Sequence, residues 1–200
     1  ADYVGIAKRL DACGGVAALE LNISCPNVAH GVDFGSNPEL CEQVVRDVRE
    51  NCDLPILTKL TPNVTNIVAL AAAAAAGGTD AVCLTNTLLG MAVDWRKQRP
   101  LLGNNVGGLS GPAIKPVSLR CVYQVSQAVD IPIVGIGGIA NLDDCMEFFV
   151  AGAAAIQIGT ANYYDPTITM KILAELPAAV AELGTNKFSD IRGTIKPNSV

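Results

Sequence analysis

Charge is scarce in this 200-residue chain: Asp, Glu, Lys and Arg make up 16% of it, against 50% apolar residues. A sequence with that balance can bury a sizeable core as one globular domain, and disorder is not expected. Long apolar runs are missing as well. Each is broken by Gly, Pro or a charge well short of the roughly 18 residues of a membrane span, and no signal peptide opens the sequence. A soluble cytoplasmic protein is therefore expected. Basic clusters are missing too: the 14 Lys and Arg are scattered and the net charge is −5, which argues against nucleic acid or anionic membrane as a partner and leaves a small ligand. With one His and no Cys-x-x-C pair, the 7 cysteines support neither a disulfide framework nor a zinc or iron–sulfur site. Of Cys13, Cys41, Cys52, Cys83, Cys121 and Cys145 most sit among apolar neighbours, and all six read as small buried hydrophobes. Cys25 does not.

What the chain does contain is a regular alternation of strand-like and helical runs, the pattern of a parallel sheet built from βα units. The strand-like runs span 17–23, 55–60, 81–86, 132–137 and 154–160, each short and nearly continuously apolar, as expected of strands buried on both faces. Asn37-Pro38-Glu39 supplies an N-cap, a first-turn proline and a first-turn carboxylate to a helix whose apolar stripe is Leu40, Val44, Val45 and Val48. Another helix is expected over 64–76, with six consecutive alanines, ending at Gly77-Gly78. Residues 2–13 also read as a helix, closed by Gly14-Gly15 and preceded by no strand. A (β/α)₈ TIM barrel takes about 250 residues and holds phosphate in the loops after its last two strands. Here the last two strands end in Gly135-Ile136-Gly137-Gly138 and Gly159-Thr160. The expectation is a TIM barrel of which about five βα units, the fourth to the eighth, are present. Residues 1–200 then form a single domain truncated at its N-terminus.

Active sites of such barrels lie at the C-terminal ends of the strands. The first strand end carries Asn22-Ile23-Ser24-Cys25-Pro26-Asn27, and a Gly-containing loop long enough for a mobile lid runs on to Asn37. A thiol beside amides and a hydroxyl has a catalytic position. Lys59, at the second strand end, reads either as half of a structural salt bridge or as a cation that stabilises developing negative charge. Asn86-Thr87 offers polar groups suited to a small ring. Gly107-Gly108-Leu109-Ser110-Gly111, Gly137-Gly138 and Gly159-Thr160 combine into a phosphate cup, because missing side chains let backbone N–H groups approach an anion. His30 reads as a solvated or lid-anchoring residue, and Trp95, Arg96, Lys97 and Arg99 belong to a long excursion between the third and fourth strands that reads as a solvated, subunit-facing loop, with a phosphate contact as the alternative.

Taken in order, Asn22-Ile23-Ser24-Cys25-Pro26-Asn27, Thr58-Lys59-Leu60-Thr61-Pro62, Asn86-Thr87-Leu88-Leu89-Gly90-Met91, Gly107-Gly108-Leu109-Ser110-Gly111-Pro112-Ala113-Ile114-Lys115-Pro116, Gly135-Ile136-Gly137-Gly138-Ile139 and Ile158-Gly159-Thr160-Ala161 resemble the catalytic subunit of class 1B dihydroorotate dehydrogenases. The resemblance implies an FMN enzyme of the cytoplasm that oxidises dihydroorotate to orotate in de novo pyrimidine biosynthesis. It implies Cys25 as catalytic base, Asn22 touching flavin and substrate, and Asn27, Asn86 and Thr87 on the substrate. Lys59 faces the flavin N1/O2 edge in this reading, and Gly111, Gly137, Gly138, Gly159 and Thr160 hold the flavin and its phosphate. Thr85 stands where the family carries an aliphatic residue against the flavin. The Lys and Asn that the family carries on its first three strands have no counterpart.

In the mechanism so implied, the Cys25 thiolate takes a proton from C5 of dihydroorotate while the C6 hydride passes to FMN. An ordinary thiol, titrating at about 8.5, can do this on the alkaline side of neutrality. Electrons then leave through a second subunit carrying FAD and an iron–sulfur cluster, and a homodimer core is expected. The rivals are another FMN-dependent dihydropyrimidine oxidoreductase, such as a dihydropyrimidine dehydrogenase domain or a tRNA dihydrouridine synthase, and an inactive barrel fragment.

Overall fold

The computed structural model describes residues 2–24 and 31–198. Helix α1 (Asp2–Ala12) leads into β1 (Leu19–Asn22), and α2 (Gly31–Ser36) and α3 (Pro38–Arg49) carry the chain to β2 (Ile56–Leu60). After α4 (Ile67–Ala76) and β3 (Ala81–Leu84) comes an excursion of four short strands, β4 (Leu88–Gly90), β5 (Val93–Asp94), β6 (Arg99–Pro100) and β7 (Gly107–Leu109). The alternation resumes with α5 (Lys115–Ser126), β8 (Ile133–Ile136), α6 (Leu142–Ala151) and β9 (Ala155–Gln157), then closes with α7 (Ala161–Tyr164) and α8 (Ile168–Glu182).

The five strands expected from the sequence form one parallel sheet in the order β1-β2-β3-β8-β9. Each is shorter than its apolar run, although pairing persists past the end of β3: Thr85 N–H donates to the Ile136 carbonyl at 2.7 Å and Asn86 N–H to that of Leu60 at 2.8 Å. The order contains no reversal. Right-handed crossovers therefore put every connecting helix on the same face, unlike a doubly wound sheet, whose order reverses at a switch point. On that face Leu21, Ile56, Leu60, Val82, Leu84 and Ile133 pack with Val45 and Val48 of α3, Leu70 and Ala74 of α4, Val122 and Val125 of α5, and Phe148 of α6. The buried Thr58 hydroxyl is satisfied there by Thr79 at 2.9 Å.

On the opposite face the side chains alternate out of phase with this core. Asn22 is in register with Lys59, Lys59 with Cys83, and Gln157 with Ile136. In a flat sheet the first and last of five strands lie about 19 Å apart, four spacings of about 4.8 Å. Gln157 Nε2 on β9 nevertheless donates to Glu20 Oε2 on β1 at 2.6 Å. The sheet is curled so strongly that its outer strands meet through their side chains across the concave face.

Helix α3 has the predicted cap: Asn37 Oδ1 accepts from Glu39 N–H at 2.8 Å and Leu40 N–H at 3.3 Å. Helix α4 starts at Ile67, three residues later than its apolar pattern suggests, because Asn66 is its cap and accepts from Ala69 N–H at 3.1 Å. Gly78, with φ +93°, takes the left-handed position behind it. Among the described residues no helix is long and apolar enough to cross a membrane.

One cysteine expectation is corrected. Cys13 lies in the turn after α1 and is exposed, whereas Cys41, Cys52, Cys83, Cys121 and Cys145 are buried. Desolvation raises the thiols of Cys41 to about 12 and of Cys145 to about 11, each with help from a neighbouring carboxylate, Glu42 or Asp144. With a thiol-selective reagent at pH 8, Cys13 is expected to be modified within minutes. The five buried thiols should react only after unfolding, as peptide mass mapping would record. Modification of Cys41 or Cys145 in the native protein at a rate like that of Cys13 would contradict the packing described.

Candidate functional site

The functional side chains sit where the strands run out. At the end of β1, Asn22 faces the concave side, and Ser24 Oγ donates to the Lys59 carbonyl at 3.2 Å. Cys25 and Asn27, the expected base and one of the expected substrate ligands, lie outside the described residues, as does His30. Beyond β3, Asn86 Nδ2 donates to Asn22 Oδ1 at 2.9 Å and to Ser24 Oγ at 3.1 Å. Asn86 Oδ1 accepts from Thr87 N–H at 2.8 Å. The amides predicted from two separate motifs thus form one network.

Asn63, in the loop after β2, was not anticipated. Its Nδ2 donates to the Thr87 carbonyl at 2.9 Å, its Oδ1 accepts from Leu89 N–H at 2.9 Å, and both its N–H and Nδ2 reach Thr61 Oγ1.

A cavity of about 450 Å³ opens at the C-terminal edge of the sheet, within the size range of small-molecule sites. Lys59, Thr85, Asn86 and Thr87 line one part of it, and Ser110, Gly111, Gly137, Gly138, Gly159 and Thr160 another. All the cofactor residues predicted from the sequence are there except Asn22, which joins the wall through Asn86. The Thr85 hydroxyl has a buried partner in Ser118 Oγ at 2.9 Å. Thr160 Oγ1 donates to Ser110 Oγ at 2.9 Å and links two of the glycine segments. Tyr163 and Tyr164 of α7 also line the cavity and are strongly exposed; apart from their position after Gly159-Thr160, nothing in the sequence singled them out.

The glycine-lined part is crowded on its protein side. A Cβ on Gly138, whose φ is +81°, would lie 2.8 Å from the Gly111 carbonyl oxygen and 2.8 Å from Lys115 N, both backbone atoms. A Cβ on Gly159 would meet nothing within 4 Å. Lys115 is held by Asp144 at 2.6 Å and Glu147 at 2.9 Å and does not line the cavity. Among the described lining residues Lys59 is the cation.

Lys59 Nζ donates to Glu20 Oε1 at 3.1 Å, so the salt-bridge reading of this lysine holds and it faces the cavity as well. Burial pushes the Glu20 carboxyl up, but hydrogen bonds from Gln157, the Cys83 thiol and Lys59, with the Lys59 charge, outweigh burial and hold it below its ordinary value. Glu20 and Gln157 were missed in the sequence. The available signal was a carboxylate inside an otherwise apolar strand, two residues before Asn22 and therefore on its face.

A glycine-walled end that admits an anion beside an end with amides, a hydroxyl and one ammonium suits a phosphate-bearing ring compound. The family model described as dihydroorotate dehydrogenase matches residues 1–180. The chain belongs to the dihydroorotate dehydrogenase family. Among its relatives, proteins named dihydroorotate dehydrogenase B (NAD(+)), catalytic subunit, are 51% identical over 193 residues in Anoxybacillus flavithermus and 50% identical over the same length in Bacillus cytotoxicus and in a Geobacillus species. Each alignment takes in 96% of this chain and 62% of the relative. This dihydroorotate dehydrogenase family member thus spans about 62% of the length of the curated relatives it matches.

Two substitutions separate the glycines of the cavity by their surroundings. Gly138→Ala is expected to destabilise the protein by about 1–3 kcal/mol, through positive φ and backbone overlap. Gly159→Ala should stay within about 0.5 kcal/mol of wild type. Urea unfolding midpoints check both, and equal midpoints for the two variants would contradict the crowding at Gly138.

Proposed function

We propose that this chain carries the oxidation of dihydroorotate to orotate in de novo pyrimidine biosynthesis, with FMN in the cavity and Cys25 as the base. The observation that supports the reading most directly is the meeting, in one 450 Å³ cavity, of Lys59, Asn86 and Thr87 with the glycine wall of Gly111, Gly137, Gly138 and Gly159, in a chain of this family. The residues fit FMN chemically. An anionic phosphate needs backbone N–H groups free of side-chain cover, which the glycines provide together with Thr160. The ring needs polar contacts and a cation, which the opposite end provides.

Bound there, FMN would supply the acceptor for the hydride that leaves C6 of dihydroorotate. Lys59 keeps a positive charge at the ring end of the cavity. Thr85 lines the wall beside it, and Asn22, Asn86 and Thr87, with Asn27, orient the substrate. Cys25, three residues past Asn22, takes the proton from C5. In this reading the five parallel strands are the fourth to the eighth of a (β/α)₈ barrel, and residues 1–200 belong to that single domain. The protein works in the cytoplasm as a homodimer core. A second subunit carrying FAD and an iron–sulfur cluster takes the electrons onward, in keeping with relatives named as NAD(+) enzymes and as catalytic subunits.

Cys25→Ser in the complete chain is expected to slow the bleaching of bound FMN by dihydroorotate about 10²–10⁴-fold, most severely near neutral pH, while FMN stays bound. Anaerobic stopped-flow spectroscopy measures this, and an unchanged rate would remove Cys25 from the role of base. Lys59→Ala is expected to weaken FMN binding and to lower the flavin midpoint potential in a spectroelectrochemical titration. A potential equal to wild type would leave Lys59 a structural residue only.

A further inference from the structure

Glu20 lines no part of the cavity, yet it makes the ion pair to the cavity's cation. Its Oε1 accepts from Lys59 Nζ at 3.1 Å, and its Oε2 accepts from Gln157 Nε2 at 2.6 Å. These partners stand on β2 and β9, so each carboxylate oxygen is held from a different strand. The Lys59 side chain is 18% exposed and that of Glu20 30% exposed, a setting in which the pair is only partly screened by water. Lys59 is thereby fixed at one end by its own strand and at the other by a carboxylate that is itself held in place.

We propose that Glu20 is a positioning residue that acts through Lys59: it fixes the ammonium on the concave face and offsets part of its charge toward the cavity. The proposal rests on the reading of the cavity as an FMN site. It makes Glu20 and Lys59 opposing settings of the same field, with Gln157 as the strut that keeps the carboxylate in place. A side chain serving only to join β1 to β9 would act on stability and leave the cofactor untouched.

The test uses the complete chain with FMN bound and reads the flavin midpoint potential alongside the thermal midpoint of the FMN-free protein. Glu20→Gln retains an acceptor for Lys59 but removes the charge, and should shift the potential upward, opposite to Lys59→Met. In a Lys59→Met background the Glu20→Gln shift should fall to less than half. If Glu20→Gln does not fold, Glu20→Asp is measured in both backgrounds; by drawing the charge away from Lys59 it should give a smaller upward shift with the same dependence on Lys59. A potential that does not move, or one that moves equally with and without Lys59, overturns the role of Glu20. A thermal midpoint that falls while the potential stays constant assigns the residue to the sheet alone, which also overturns it. If the protein takes up no FMN, or if Lys59→Met leaves the potential unchanged, the reading of the cavity fails instead.

Discussion

Everything in this molecule follows from winding a parallel sheet in one direction only. Because the strand order never reverses, the crossovers send all the helices to one side. The convex face takes the apolar core, and the concave face has to be covered by the sheet's own side chains. Polar groups there cannot rely on a helix for partners. They find them across the curl, which is why Glu20 on the first strand of the sheet bonds to Gln157 on the last. Curvature and polarity are coupled: the hydrogen bond needs the bend, and the bend leaves half-buried polar groups that need the hydrogen bond.

The two-residue period of a strand turns this division into a division of labour. Leu60 and Leu84 point into the helices and are fully buried, while Lys59, adjacent in sequence, points the other way and lines the cavity. Core packing and cavity lining thus alternate along a single five-residue strand. The same holds on β8, where Gly135 is set against the ring of Phe148 and Ile136, adjacent in sequence, lines the cavity.

Local features were readable in the sequence because their causes are local. The five strands follow from apolar runs of the right length, and the cap of α3 from Asn37-Pro38-Glu39. The glycine wall follows from Gly-rich segments that stand at the ends of successive apolar runs. What escaped depends on distance. Glu20 meets Gln157 across 137 positions, and no pattern within either strand records the partner. Asn63 reads as an ordinary loop amide until the excursion folds back over it. The pairings of β4 with β7 and of β5 with β6 escaped because strands of two or three residues carry too little periodicity to register. Cys13 follows the last residue of α1 and precedes Gly14-Gly15, which leaves its thiol in an open turn.

The hydrogen bonds of Asn63 tie the loop after β2 to the first residues of the excursion, and they engage backbone atoms of Thr87 and Leu89. Backbone is indifferent to which side chains the excursion carries. A substitution at position 89 therefore leaves these two bonds in place, as long as an amide is kept at position 63. Anchorage falls to main-chain atoms of the segment, so the loop after β2 keeps its hold on residues 87 and 89 whatever their side chains present to solvent.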